Sequence, residues 1–145
     1  MARDVVQREV RLTLPMAPDM EIEASETATA MASAMRMSAD KVDEIRMAVV
    51  EACINALEHS GSRDRKVHLT FAMVGDPKDP QTLRITVTDH GVGFDPAEVV
   101  EPSIEEKINA KRKRGWGLKI IRGLMDDVDI RSNIDGTTLV MSKSR

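Results

Sequence analysis

The sequence predicts an α/β (α+β) two-layer sandwich, with a mixed, mostly antiparallel sheet on one side and helices on the other. Three observations point there. Short runs alternate apolar and polar residues as half-buried strands do: Val10, Leu12 and Leu14; Val67, Leu69, Phe71 and Met73; Leu83, Ile85 and Val87. Between the first run and the second lie two stretches of helical spacing, one opening at Pro18-Asp19 and one running from about Ser38 to Ser60. The second and third runs are joined by Gly75-Asp76-Pro77-Lys78-Asp79-Pro80, a turn-rich link that sends the chain back antiparallel.

Composition narrows the class. The 145 residues have the length of one domain, 1–145, enough to bury a core without staples. With two Phe, one Trp and no Tyr, that core must be built from Val, Ile, Leu, Ala and ten Met. A net charge of -3 argues against direct nucleic-acid binding. Cys53 is the single cysteine, which excludes an intrachain disulfide and suits a reducing compartment. No apolar run has membrane-spanning length and the N-terminus shows no signal-peptide core. A soluble, cytoplasmic protein with no membrane contact is expected.

Each element has its own signature. Residues 5 to 14 form the first strand, which Pro15 closes. In the first helix Ala24, Ala28, Met31 and Met35 make one apolar stripe, a packing face. Ser38 or Asp40 can cap the second helix, Asp43 and Glu44 sit in its early turns where the dipole favours them, and Gly61 stops it. This helix has two apolar faces, Val42, Ile45, Val49, Ala52 and Ala56 on one and Val50, Ile54 and Leu57 on the other. Between them runs a polar strip of Glu44, Glu51, Asn55 and Glu58. Glu44 and Glu58 read as solvated, whereas Glu51 and Asn55, one turn apart, can address one small ligand together. The third strand ends on Asp89, and Gly91 and Gly93 free the loop that follows for positive φ or close approach to a ligand. A polar segment to Arg114 follows, ending in Lys111-Arg112-Lys113-Arg114. A loop of this length is functional or mobile as a rule, and its basic run is either a solvated patch or a lid that brings positive charge to phosphates. Gly115-Trp116-Gly117-Leu118 then opens a helix, where glycines let backbone N–H groups converge on an anion. A final hairpin turns at Asn133-Ile134-Asp135-Gly136. The spacing of His59, His68 and His90 speaks against a zinc site.

Taken together, Glu51-x-x-x-Asn55 on a helix, Asp89-x-Gly91-x-Gly93 after a strand and Gly115-x-Gly117-Leu118 opening a later helix resemble the nucleotide-binding boxes of the GHKL (histidine kinase-like) ATPase superfamily. Within it the chain is most similar to the bacterial anti-sigma-factor serine/threonine kinases. The similarity includes Glu51-Ala52-Cys53-Ile54-Asn55-Ala56-Leu57-Glu58-His59, the stretch from Gly117 to Asp126, and Gly136-Thr137-Thr138. The resemblance covers nearly the whole chain and implies a Bergerat-type fold, with ATP between the helices and a lid at about 95–116.

It also implies roles. Asn55 would hold Mg²⁺, for which an amide oxygen is a suitable hard ligand. Glu51 would be the general base of phosphoryl transfer. Asp89 would accept a hydrogen bond from the adenine amino group, with Thr137 supporting that contact. Gly91, Gly93, Gly115, Gly117 and Leu118 would shape the lid hinges and the phosphate cradle. The implied substrate is a serine or threonine of a STAS-domain anti-anti-sigma protein that competes with a sigma factor for the kinase, and a homodimer is within the resemblance. The alternative is an ATP-gated module that sequesters a partner without phosphotransfer.

Overall fold

The computed structural model describes residues 5–59, 61–91 and 114–145. Of the elements expected from sequence, Gly93 and the lid up to residue 113 lie outside the described residues, as does the side chain of His59.

Strand β1 (Val6–Pro15) is followed by helices α1 (Met20–Ala34) and α2 (Ala39–His59). Strands β2 (Lys66–Asp76) and β3 (Asp79–Asp89) form a hairpin, and the chain closes with α3 (Arg114–Leu124), β4 (Asp127–Asn133) and β5 (Gly136–Ser144). The five strands make one sheet in the order β1-β2-β3-β5-β4. The two-layer architecture is the expected one. Every strand pairing among the described residues is antiparallel, where the sequence reading had allowed a mixed sheet.

The alternating residues all fall on one face. Leu14 pairs with Val67, Leu12 with Leu69 and Val10 with Phe71, and the same face continues into Ile85, Val87, Leu139 and Met141. Against it pack α1, through Ala24, Ala28 and Met31, and α2, through Ile45, Val49, Ala52 and Cys53. Alanines at these helical contacts let the backbones come close, so a core whose large aromatic among the described residues is Phe71 still fills its space. The opposite face carries short polar side chains such as His68, Thr70, Thr86, Thr88 and Thr138.

Local chemistry sets the element ends. The Lys41 N–H donates to Ser38 Oγ at 3.3 Å, so Ser38 rather than Asp40 caps α2. Asp19 takes a left-handed φ of 73° and turns the chain into α1 without a side-chain cap. The turn-rich link between β2 and β3 tightens to Pro77-Lys78, and the Lys78 N–H donates to Asp76 Oδ1 at 2.8 Å. Among the described residues no helix is long and apolar enough to cross a membrane.

One expectation for α2 is corrected. Glu44 is not simply solvated: its Oε2 accepts from the Lys143 ammonium at 3.0 Å. Lys143 points to the helix side of β5 and is buried. Its ammonium also donates to the Leu124 carbonyl at 2.5 Å, at the C-terminal end of α3 where the helix dipole favours a cation. One side chain thus ties β5, α2 and α3 together.

Candidate functional site

Two groups of residues form the candidate site. The first lies where α2 meets α3. Glu51 and Asn55 stand one turn apart on α2; Glu51 is 3% exposed and Asn55 half-buried. Gly117, in the first turn of α3, faces both. A Cβ on Gly117 would lie 3.5 Å from Asn55 Oδ1 and 3.8 Å from the Glu51 carboxyl carbon. The two boxes, 62 positions apart in sequence as Asn55 and Gly117 are numbered, therefore meet in one corner at the amino end of a helix. Gly115 lies in that same first turn and Leu118 is buried beneath it. Burying a carboxylate beside an amide oxygen at a helix N-terminus, where backbone N–H groups point outward, makes a corner suited to a cation and anionic oxygens. On the outer side, Glu51 joins Arg46, Met47, Val50, Ile54 and Ile120 in lining a shallow, largely apolar depression of about 230 Å³.

The second group is at the C-terminal end of β3. Asp89 faces the helix layer and is 7% exposed. Its Oδ1 accepts the Gly91 N–H at 2.9 Å, which bends the chain sharply out of the sheet. Thr137 pairs with Asp89 across β5, and its hydroxyl shares a 2.7 Å hydrogen bond with Ser132 of β4. Gly136, just before Thr137, has φ +136° and passes so close that a Cβ there would come within 2.0 Å of the Asp89 carbonyl oxygen. Sequence analysis did not single out Gly136 or Ser132 as site residues. The glycine of the final turn was visible, but its contact with a strand 47 positions earlier was not.

The two groups lie at one end of the molecule. The Arg63 N–H donates to the His90 carbonyl at 3.1 Å, joining the chain just after α2 to the end of β3. Nothing comparable was expected of the histidines. The pairing of His68 with Thr88 places His90 two residues further along the same face, beside His68. Their ring centroids are 5.1 Å apart, and Asp64 Oδ2 stands 2.9 Å from His68 Nε2. The Ser62 hydroxyl and then the His68 ring hold the Asp64 carboxyl well below the usual carboxylate range. His68 and His90 converge beside Asp64 through strand pairing, which linear spacing cannot show.

The fold thus presents a corner with a buried glutamate, an adjacent asparagine and a close glycine, and an aspartate at the end of β3. The model of the histidine kinase-like ATPase domain matches residues 14–143, and the chain belongs to that family. Its relatives are narrower in kind. The chain is 30% identical over 122 residues to a serine-protein kinase RsbW of Bacillus cereus strain Q1, covering 81% of this chain and 72% of that one, and so belongs with the RsbW serine-protein kinases. It is 28% identical to the RsbW of Oceanobacillus iheyensis over 140 residues, 92% of this chain and 85% of that protein. The fold is shared with the RsbU and RsbW domains of Rv1364c from Mycobacterium tuberculosis (TM-score 0.68, 19% identity), covering 95% of this chain and one third, 33%, of that one. It is also shared with a chain of the SiaB–SiaC complex from Pseudomonas aeruginosa (TM-score 0.54, 11% identity), over 96% of this chain and 92% of that one.

Proposed function

We propose that this chain, acting as a single domain over 1–145, is an ATP-dependent serine/threonine kinase of the partner-switching type. It would hold a target, a sigma factor in the simplest case, for which an unphosphorylated STAS-domain antagonist competes. Transfer of the γ-phosphoryl group to a hydroxyl of that antagonist would eject it and free the kinase to hold the target again. The observation that carries this is the approach of Gly117 to Asn55 and Glu51, which keeps the corner beside their side chains free of a Cβ at the amino end of α3. Membership of the RsbW family supports the serine acceptor. That a chain of this fold occurs in a SiaB–SiaC complex supports a protein partner.

The roles follow the chemistry of the side chains. The donor set fits Mg²⁺, because Asn55 offers a hard oxygen beside an open space that a Cβ would fill. When bound there, the ion would neutralise phosphate charge. Glu51, buried next to that oxygen, takes the proton from the attacking hydroxyl. The apolar depression that Glu51 lines is the side from which the acceptor serine enters. Asp89, fixed by the Gly91 N–H, accepts from the adenine amino group and rejects guanine, which presents a carbonyl there. Thr137, held by Ser132, supports that contact. Gly115, Gly117 and Leu118 shape the phosphate cradle.

The test is incubation with γ-labelled ATP, Mg²⁺ and STAS-domain proteins encoded near the gene. Label on a serine or threonine of one of them is expected. Tight, nucleotide-dependent partner binding without label would mean a sequestering module instead. Neither label nor nucleotide binding would refute the proposal.

A further inference from the structure

We propose that Asp64, His68 and His90 form a site for a divalent transition-metal ion of the Zn²⁺ type, separate from the nucleotide corner. The inference does not rest on the kinase assignment. Each residue offers one ligand atom, and the three atoms lie within 4.8 Å of one another. Asp64 Oδ2 is 2.9 Å from His68 Nε2 and 4.0 Å from His90 Nε2. Donors bound at about 2.0–2.1 Å around a tetrahedral zinc lie roughly 3.3 Å apart, so the observed pair distances bracket the required one. His90 is half exposed and can swing inward without disturbing the core.

The outer partners are already in place. A metal-ligating carboxylate or imidazole needs its remaining polar atom held by a neighbour, so that the ligand atom points at the ion. Asp64 Oδ1 accepts the Ser62 hydroxyl at 2.6 Å and the Lys66 N–H at 3.0 Å, which turns Oδ2 toward the histidines. His68 Nδ1 lies 3.4 Å from the Thr13 hydroxyl, its neighbour across β1, leaving Nε2 to face Asp64. Two imidazoles and one carboxylate suit Zn²⁺ and related first-row ions and do not suit Mg²⁺, which takes oxygen ligands. Three protein ligands leave a fourth position for water.

The ion would bind a loop to the sheet. Asp64 belongs to the segment between α2 and β2, His68 to β2, and His90 directly follows Asp89 at the end of β3. The Arg63 N–H to His90 carbonyl bond and a hydrogen bond from the Arg63 guanidinium to the Ile134 carbonyl hold that segment against the far strands. A metal clasp would add a crosslink at the rim of the sheet, on the face opposite the Asp89 side chain.

Calorimetric titration of the full chain with Zn²⁺, and visible spectroscopy with Co²⁺, tests this. Wild-type protein should bind one Zn²⁺ per chain, resist competition by millimolar Mg²⁺ and give the intense absorption of low-symmetry, four-coordinate Co²⁺. Asp64→Asn, His68→Gln and His90→Gln should each weaken Zn²⁺ binding by at least tenfold, and circular dichroism should confirm that each variant is folded. Zn²⁺ should raise the thermal midpoint of the wild type and not that of His90→Gln. His90 is half exposed and stands outside the buried core cluster, so this variant keeps the test valid even if Asp64→Asn fails to fold. Unchanged affinity in His68→Gln or His90→Gln, or no binding by the wild type, would overturn the proposal.

Discussion

Replacing Gly117 by alanine should make the protein more stable and a poorer nucleotide binder. The two effects have separate causes. Glycine in a helix costs up to about 1 kcal/mol relative to alanine, because the unfolded chain loses more freedom. Gly117 lies in the first turn of α3, so a gain of about 0.5–1 kcal/mol is expected. The added Cβ would meet its nearest neighbour, Asn55 Oδ1, at 3.5 Å and the next atoms at 3.8 Å, which is ordinary van der Waals contact and offsets none of that gain. A stabilisation of this size in a domain of this length raises Tm by roughly 1–4 °C. The same methyl group fills the space between Asn55, Glu51 and the helix amino end, where phosphate oxygens and their cation are proposed to sit. ATP affinity in the presence of Mg²⁺ should fall by about tenfold or more, the equivalent of about 1.4 kcal/mol. Differential scanning calorimetry of the apo protein and isothermal titration with ATP read the two halves separately. A lower apo Tm would refute the packing argument. Full ATP affinity would refute the placement of the phosphates.

Three further outcomes follow from the structure. Gly136→Ala should destabilise the fold by about 2–6 kcal/mol, from overpacking of about 1–3 against the Asp89 carbonyl and a similar backbone strain at φ +136°; a Tm within 2 °C of wild type, by roughly the same scaling, would contradict this. Lys143→Ala should cost about 1–3 kcal/mol, since the Leu124 carbonyl and Glu44 lose a common donor, and urea unfolding measures it. Burial first, and then the charge of Glu21, push the Cys53 thiol up to about 12 from 9.0. Because the folded state keeps its proton longer, this contribution to stability is complete below pH 9 and is lost as pH rises through about 12. Iodoacetamide should accordingly label Cys53 at pH 8 only as fast as the protein unfolds, and rapid labelling of native protein would show the thiol to be accessible.

Much of this architecture can be read from the chain because its main signals are local. The period-two runs of β2 and β3 and the turn between them are adjacent in sequence, and side chains alternate wherever one face of a sheet is buried. Glu51 and Asn55 were legible for the same reason, being one helical turn apart. What could not be read depends on pieces brought together across long separations. The Glu44–Lys143 contact joins residues 99 positions apart, and a lone glutamate on a polar strip gives no sign of it. The placing of β5 between β3 and β4 fixes Gly136 against Asp89, yet turn chemistry around Asn133 specifies only the hairpin. His68 and His90 meet through strand register, which spacing along the chain does not encode.

Glu51→Gln tests the central claim most directly. The substitution keeps the shape of a side chain that is 3% exposed and removes only its ability to accept a proton. With one protein preparation, ATP affinity and single-turnover phosphotransfer to the STAS-domain acceptor are measured side by side. Unchanged ATP affinity with phosphotransfer reduced by roughly 10²–10⁴-fold is the predicted result, the usual contribution of a general base. Phosphotransfer at the wild-type rate would contradict a catalytic Glu51.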